Sequence, residues 1–374
     1  MIRHRPTSAT GAAAGERRAF WRALFERGLA TPKKVALVCG MLGVLLLLSA
    51  VIALHLGSEP VSHAVVLEVL RTHLFGTAQE PTVSEIIVWR IRGPRILLGL
   101  AAGAALAVAG ALLQALLRNP LAEPYVLGIS GGAALGAILA VLGFEEVPLM
   151  RPSLAFAGAA LATALVYAMS RSRAGMFTER LVLAGLILAT LLWATIALLL
   201  ALVPDSRLRG LTFWMMGDLS GGGNGLLPIV FGIVLAAIAL AYRQARRLNL
   251  LMVGEEEARV LGLDVERVKT VTYLLASLLA GVIVSVAGAI GFVGLLVPHL
   301  VRLLWGSDNR LVIPAAALSG AILVVLADAA ARTVLAPREL PVGAVMAALG
   351  RAGFHSPVAE GMSDVRSPRS DVRL

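Results

Sequence analysis

The sequence contains little that could carry out covalent or metal chemistry. Its single cysteine, Cys39, excludes a disulfide framework and a thiolate metal site. The six histidines never occur at metal-binding spacing, and neither HExxH nor GxSxG is present. The only lysines are Lys33, Lys34 and Lys269, and none lies in a GxxxxGKS or GxxxxGKT phosphate loop. We therefore expect no catalytic residue, no metal ion, no cofactor and no ATP hydrolysis by this chain.

Charged residues are scarce too. They make up 15% of the chain, whereas a soluble domain has about a quarter, and hydrophobic residues reach 58%. Apolar runs of about 18 residues or more recur, each long enough to cross a bilayer as a helix. The pattern predicts an all-α polytopic membrane protein with about ten transmembrane helices. The spans are expected near residues 35–56, 94–117, 125–143, 152–170, 181–203, 226–243, 270–291, 293–305, 311–330 and 341–350.

The net charge of +10 is unevenly distributed. Basic residues crowd the stretch 1–34, and the apolar run that follows is too long for a signal core and lacks a small-residue cleavage site. Lys and Arg are also more frequent in the segments that would be cytoplasmic than in those that would be external. These features favour a multi-pass inner-membrane protein with a cytoplasmic N-terminus and lipid contacts, and they argue against nucleic acid as a partner.

The stretch RNPLAEPYVLGISGGAALG (118–136) breaks the helical pattern and then resumes it with glycines four residues apart. Pro120 and Pro124 cannot continue a helical hydrogen-bond ladder, so they predict a tight cytoplasmic turn. Gly128, Gly132 and Gly136 would share one face of the next helix. Small residues let helices approach closely in lipid, so this face is expected to pack against a neighbouring helix.

An internal repeat is visible in the same part of the chain. Residues 102–111 read AGAALAVAGA and residues 280–289 read AGVIVSVAGA, and a proline follows each copy at the same distance, Pro120 and Pro298. The two helices are five spans apart and would cross in opposite directions. The pattern predicts an inverted repeat of helices 2–5 and 7–10, a plan found in transporters.

Eight segments occur in a characteristic order: RGPR (92–95), GALLQALLRNPLAEPYVLGISGGA (110–133), RLVLAG (180–185), FWMMG (213–217), GEEEARVLGL (254–263), AGAIGFVGLLVPHLVR (287–302), LADAAAR (326–332) and ELPVGAVMAALG (339–350). Taken together, they resemble the membrane permease subunits of bacterial ABC importers for iron chelates and vitamin B12, the FecCD type. The resemblance implies a permease subunit that imports an iron-siderophore, haem or vitamin B12 without being an enzyme itself. Its implied partners are two ABC ATPase subunits, a periplasmic or lipid-anchored substrate-binding protein and a second copy of the chain.

The segment 254–263 lies in the long cytoplasmic loop before helix 7. Its composition predicts a short amphipathic helix over 255–261, with Ala258 and Leu261 on the apolar side and Gly262 able to cap it. The resemblance implies that this loop couples the permease to the ATPase; the alternative is a solvated loop helix. The coupling residues are expected to be Gly254, Glu255, Glu256, Ala258, Arg259, Leu261 and Gly262.

Three arginines stand near the outer ends of spans, where the positive-inside tendency makes them unexpected. Arg92 and Arg95 precede helix 2, and Arg332 follows Asp328 by one helical turn, a spacing that indicates a local ion pair. The resemblance implies that the three arginines grip glutamates of the binding protein, a task that suits the planar guanidinium fork. The alternative is contact with lipid headgroups.

The resemblance also implies a cytoplasmic gate formed by the loops after helices 2 and 4. The matching positions are Asn119, Leu121 and Thr178. The alternative is that all three are ordinary turn residues. Glu179, beside Thr178, would change the charge of such a gate.

The chain is expected to divide into a disordered basic cytoplasmic tail at 1–34, an importer transmembrane domain at 35–350 and a polar tail at 351–374. Beyond Gly350 the family continues apolar, whereas this chain is rich in Arg, Ser and Pro. A frameshift or sequencing error near residue 350 is one explanation, and a genuine disordered tail is the other. The tenth span, 341–350, measures about 15 Å, too short to cross a bilayer.

Two other functions remain open from the sequence. One is a secondary transporter driven by an ion gradient, for which Asp328 would be the conspicuous ionisable group. The other is a membrane-embedded assembly or signalling protein without transport, against which the repeat and the coupling-like loop argue.

Overall fold

The structure is a computed structural model that describes residues 30–59, 61–76, 82–144, 147–172, 175–223 and 225–354. Most of the two predicted tails, residues 1–29 and 355–374, therefore lies outside the described residues. Helices dominate the described part of the chain. We number them α1 Pro32–His55, α2 His63–Phe75, α3 Val83–Leu117, α4 Ile129–Gly143, α5 Met150–Ser170, α6 Thr178–Leu200, α7 Asp205–Met215, α8 Leu227–Arg243, α9 Ala245–Val253, α10 Glu255–Val260, α11 Val265–Ala287, α12 Val293–Trp305, α13 Asn309–Thr333 and α14 Val342–Phe354.

Each of the ten predicted spans has a helical counterpart. Within the described ranges, six helices are long and apolar enough to cross a membrane, namely α1, α3, α5, α6, α11 and α13. α8 and α9 form a pair bent by 52° that can cross as one span, and α4, α12 and α14 are shorter apolar helices. The prediction of a polytopic all-α membrane protein is confirmed.

α3 is the central helix of the bundle. It consists of Val83–Glu85, a π-helical stretch Ile86–Arg92 and the α-helical Gly93–Leu117, and nearly all side chains of its second half are buried. It packs against α11, α12 and α13. The predicted start near residue 94 is wrong, because a Thr82 side-chain cap begins the helix at Val83. Arg92 and Arg95 therefore lie inside the helix rather than ahead of it.

Glycines bring the central helices into backbone contact. A side chain at Gly103 would overlap the carbonyl group of Gly320 on α13, and one at Gly110 would overlap Gly294 on α12. Gly132 and Gly136 pack in the same way on α5, which confirms the predicted packing face of α4. Gly128 differs from this prediction, since it precedes α4 with φ 76° and does not belong to the helix.

The turn after α3 is anchored to the connection between α11 and α12. A 3-10 helix, Pro124–Leu127, follows the predicted break. The Tyr125 hydroxyl donates to the carbonyl of Ile290 at 2.9 Å and accepts from its N–H at 2.8 Å. Glu123 accepts from the N–H of Phe292 at 2.7 Å. The prolines thus end α3, and two long-range polar contacts fix where the chain resumes.

The repeated sequence stretches lie in α3 and α11, which pack side by side. The first copy is entirely helical, whereas α11 ends at Ala287 and Gly288 turns the chain with φ 67°. Gly288 lies directly against the carbonyl of Trp214, so a side chain there would overlap it. The inverted relation of the two halves stays a prediction.

A two-stranded hairpin joins α5 to α6. Its strands, β1 Arg171–Ser172 and β2 Gly175–Met176, pair antiparallel. The chain passes from Met176 through Phe177 into α6, whose first residue is Thr178. Farther along the chain, α7 ends within the FWMMG segment, and a 3-10 turn, Ser220–Gly223, follows it.

Candidate functional site: two charged clusters

Three arginines and two carboxylates form a group that we call the arginine cluster: Arg92, Arg95, Asp328, Arg332 and Glu339. All of them are buried except Glu339, which is exposed. Asp328 lies between two guanidiniums, with Arg95 Nη2 2.9 Å from Oδ1 and Arg332 Nε 3.0 Å from Oδ2. Glu339 Oε2 lies 2.8 Å from Arg95 Nη1. The predicted ion pair between Asp328 and Arg332 is present, and it belongs to a larger network.

Two members of the cluster also cap the end of α1. Arg92 Nη1 donates to the carbonyls of Leu54 at 2.7 Å and His55 at 3.2 Å, and its Nη2 donates to that of Glu59. Arg332 donates to the carbonyls of Leu56 at 3.0 Å and Ala53 at 3.3 Å. The last carbonyls of a helix lack intrahelical partners and carry partial negative charge, so cations are stabilising there.

These contacts direct all three guanidiniums inward. Arg92, Arg95 and Arg332 are only 3%, 6% and 3% exposed. Docking of a binding protein on them stays a prediction. A partner's carboxylate would have to compete with Asp328 and Glu339 for Arg95.

The predicted coupling segment forms α10, a six-residue helix. Ala258 is fully buried, as expected, and Gly262 ends the helix with φ 82°. The N–H of Leu263 donates to the carbonyl of Ala258 and that of Gly262 to Arg259, both at 2.9 Å. This pair of bonds is the Schellman motif, which satisfies carbonyls at a helix end.

One expectation for α10 is wrong. Leu261 was predicted on the buried apolar side with Ala258, but its side chain is 65% exposed. The helix ends at Val260, so Leu261 belongs to the capping turn and no longer follows the helical periodicity. Val260 is 87% exposed beside it. The end of α10 therefore exposes apolar side chains to solvent, and no other described part of the chain covers them.

Four charged side chains connect α10 to the first turns of α11; we call them the α10 charge cluster: Glu255, Arg259, Glu266 and Lys269. Lys269 is 2% exposed, and its Nζ lies 3.1 Å from both carboxylate oxygens of Glu255. Glu266 lies 3.9 Å from Lys269 and 3.8 Å from Arg259. Arg259 also contacts Glu256 at 2.5 Å. The buried lysine holds α10 against α11, because an unpaired charge there would be strongly disfavoured.

The three predicted gate residues occupy two separate turns. Asn119 accepts a hydrogen bond from the N–H of Leu121 at 2.9 Å, and Leu121 is exposed. Thr178 begins α6 and is half-buried, and Glu179 beside it is exposed. The described residues show no hydrogen bond between the two turns, and the joint gate stays a prediction. α6 nevertheless packs on the 3-10 helix that follows the first turn, since a side chain at Gly185 would meet Leu127 at 2.9 Å.

Glu123 is the carboxylate closest in sequence to the first gate turn. Burial raises the pKa of Glu123, and the hydrogen bond from the Phe292 N–H lowers it only in part. Nothing in the local sequence indicates this contact, which joins residues 169 apart.

Sequence reasoning also missed Glu266, Lys269 and Glu339. Lys269 offered a usable signal, because it is one of three lysines and stands at the edge of a predicted span. An ionisable group in that position is expected to have a charged partner. Which carboxylate it meets depends on the path of the loop, which composition does not determine.

Apolar spanning helices, close glycine contacts and two clusters of paired charges define a multi-pass membrane protein of the transporter class. The chain belongs to the FecCD transport family, which it matches over residues 44–355. The family expected from the ordered motifs is confirmed.

The relatives of the chain are permeases. It is 40% identical to the hemin transport system permease protein HmuU of Yersinia pestis over 318 residues, which cover 83% of this chain and 92% of that protein. It is 42% identical over 279 residues to the cobalamin import system permease protein BtuC of Halobacterium salinarum, 73% of each protein. A solved inward-facing structure of a metal-chelate type ABC transporter has a TM-score of 0.75 and 30% identity, covering 86% of this chain and 99% of that one.

Proposed function

We propose that this chain is the permease subunit of an ATP-binding cassette importer that carries an iron-siderophore, haem or vitamin B12 across the inner membrane. The family match over residues 44–355 carries the proposal, because it spans the helices from α1 to α14 rather than one motif. The relatives named for hemin and cobalamin support a metal chelate as the class of cargo. Residues 35–350 would form the transport domain.

The energy would come from separate ATPase subunits that bind at α10. Val253, Val260 and Leu261 expose apolar side chains on both flanks of α10, while Glu255 contacts Lys269 on α11 and Ala258 is buried. Neighbouring exposed apolar groups outside the membrane are typical of a protein interface. The coupling set predicted from the sequence would act as one unit here, with Ala258 inside the fold and Leu261 on the partner side.

The same proposal orients the molecule. α10, the hairpin and the N-terminus would face the cytoplasm, and the arginine cluster would face outward towards a substrate-binding protein. Asn119, Leu121 and Thr178 would close the pathway on the α10 side. α6 carries an apolar exposed row at helical spacing, Leu183, Ile187 and Leu191, which a second copy of the chain would cover in a homodimer.

The test is assembly with the ATPase encoded for the same importer. We expect Val260→Glu to abolish co-purification of the ATPase and ATP-driven uptake of haemin or cyanocobalamin into proteoliposomes, because it places a charge in the proposed interface. Val83→Glu is the matched control: the same exchange at a 75% exposed valine on the first turn of α3.

Retained ATPase binding in the Val260→Glu protein would argue against α10 as the interface. A wild-type complex that hydrolyses ATP but takes up neither haemin nor cyanocobalamin would leave an iron-siderophore as the remaining cargo class, to be tested with ferrichrome. Failure with all three compounds would overturn the proposed cargo.

A further inference from the structure

The carboxylate of Glu266 contacts three separate parts of the α10 side of the molecule. Its Oε1 lies 3.8 Å from Arg259 on α10 and 3.9 Å from Lys269 on α11. Its Oε2 accepts a hydrogen bond of 2.6 Å from the backbone N–H of Met176 in the hairpin. One side chain thus joins the segment proposed to bind the ATPase to the connection between α5 and α6.

The hairpin is shaped to receive this carboxylate. Gly175 has φ 114°, which L side chains rarely adopt, and a side chain there would overlap the Glu266 carboxylate. Met176 is buried, so the hairpin is packed at this point rather than resting loosely on the surface. A hydrogen bond from a backbone N–H to an ionised carboxylate is among the stronger hydrogen bonds in proteins.

The hairpin leads directly into α6. Met176 stands two residues before Thr178, the first residue of α6, and the N–H of Phe177 closes the hairpin onto the carbonyl of Ser170 at 3.4 Å. No flexible linker separates the hydrogen-bonded residue from the helix. A displacement of Met176 would therefore move the start of α6, which contains a predicted gate residue.

The hairpin also has room to move. A cavity of about 510 Å³ lies between it and the start of α11, lined by Arg171 and Met176 on one side and by Asp264, Glu266 and Thr270 on the other. Close-packed regions resist displacement, whereas a hairpin beside an open space can shift without breaking the core.

We propose that Glu266 is a positioning residue that transmits movement of α10 to the paired strands β1 and β2 and so to the start of α6. The inference rests on the proposed function, because it takes the ATPase as the source of the movement. Lys269 and Glu255 keep α10 and α11 together, and Glu266 adds the hairpin to that rigid unit.

The first test measures coupling in the complex with its ATPase, reconstituted in proteoliposomes. Glu266→Ala removes the ionic contacts and the hydrogen-bond acceptor, whereas Glu266→Gln keeps an acceptor for the Met176 N–H. We expect Glu266→Ala to lower the uptake of haemin or cyanocobalamin per ATP hydrolysed by about five- to tenfold, with partial rescue in Glu266→Gln. Asp264→Asn is the matched control, since it removes one charge beside the same cavity while keeping an N-cap residue for α11.

The second test does not depend on cargo. A spin label at Arg171→Cys in a Cys39→Ser background reports the distance between the two hairpins of the dimer. We expect ATP to change this distance in the complex that carries Glu266 and not in the Glu266→Ala complex. An equal ATP-induced change in both complexes, or an unaltered ratio of uptake to hydrolysis, would overturn the role of Glu266. Absence of ATPase binding in the unmutated chain would overturn the proposed function instead.

Discussion

At the scale of single residues, the charges of this protein are held by several partners at once. Asp308, at the N-terminus of α13, accepts hydrogen bonds from the N–H of Ala30, the side chain of Asn249 and both the N–H and the guanidinium of Arg310. Burial by itself would raise the pKa of Asp308, but these hydrogen bonds, first those from Arg310, hold it well below its usual range. Ionised Asp308 therefore strengthens the junction between the starts of α1 and α13 and α9.

We predict that acid weakens this junction. The folded pKa of Asp308 lies below the ordinary value of 3.8, so its stabilising contribution is complete above about pH 4 and is lost as the pH falls towards the folded pKa. Thermal unfolding of the purified chain and its Asp308→Asn variant, measured from about pH 7 to about pH 3, should give a difference in melting temperature that narrows as the pH falls below about 4. A difference in melting temperature between the two proteins that stays constant over this pH range would contradict the prediction.

At the scale of helices, the packing of the central bundle depends on glycine positions where the backbones of two neighbouring helices are in direct contact. Gly103 of α3 meets Gly320 of α13, and Gly110 of α3 meets Gly294 of α12. Hydrophobic burial gives helices little reason to associate in lipid, so dispersion at these close approaches supplies much of the attraction. α3 can be surrounded by α11, α12 and α13 because its contact faces consist largely of Gly and Ala.

We predict opposite effects for two exchanges of helical glycine to alanine. Gly110→Ala should destabilise the chain by about 2 kcal/mol or more, because the new methyl group would force α3 and α12 apart. Gly232→Ala, in α8, should stabilise it by up to about 1 kcal/mol, since the position has open space around it and alanine favours helix. Melting temperatures of the two variants in one detergent provide the comparison. Equal shifts in the same direction would show that the close approach is not a determinant of stability.

Elements with local causes could be predicted from the sequence, and contacts made over long separations could not. The turn after α3 follows from Pro120 and Pro124, and the end of α10 follows from Gly262. Leu261 was misplaced by a single position, because the helix ends one residue earlier than its apolar pattern suggested. Arg95 and Glu339 are 244 residues apart, and nothing in either neighbourhood indicates that they meet. The sequence correctly indicated that the three arginines have a special role, but the partners of these arginines depend on how α1, α3 and α13 pack.

At the scale of the whole molecule, α13 carries a network of paired charges at each of its two ends. The arginine cluster includes Asp328 and Arg332 near its last residue, and the Asp308 junction lies at its first. Asp328 is 2% exposed and is held by guanidiniums from two helices. A group that carries protons must exchange partners during each cycle, and Asp328 would have to leave a buried ion network to do so, at a cost of several kcal/mol. The arrangement favours a structural role for Asp328 and an external source of energy.

We predict that uptake needs ATP and no ion gradient. Proteoliposomes with the chain and its ATPase should accumulate haemin or cyanocobalamin when ATP is supplied, and an ionophore that collapses proton and sodium gradients should leave the rate unchanged within about twofold. Asp328→Asn should reduce the yield of folded protein, because Arg95 and Arg332 lose a shared counter-charge, while the protein that does fold keeps its ATP requirement. Accumulation by the purified chain without the ATPase, abolished by the ionophore and by Asp328→Asn, would identify an ion-driven carrier instead. The ionophore distinguishes the two mechanisms, because only an ion-driven carrier would lose its energy source when the gradient collapses.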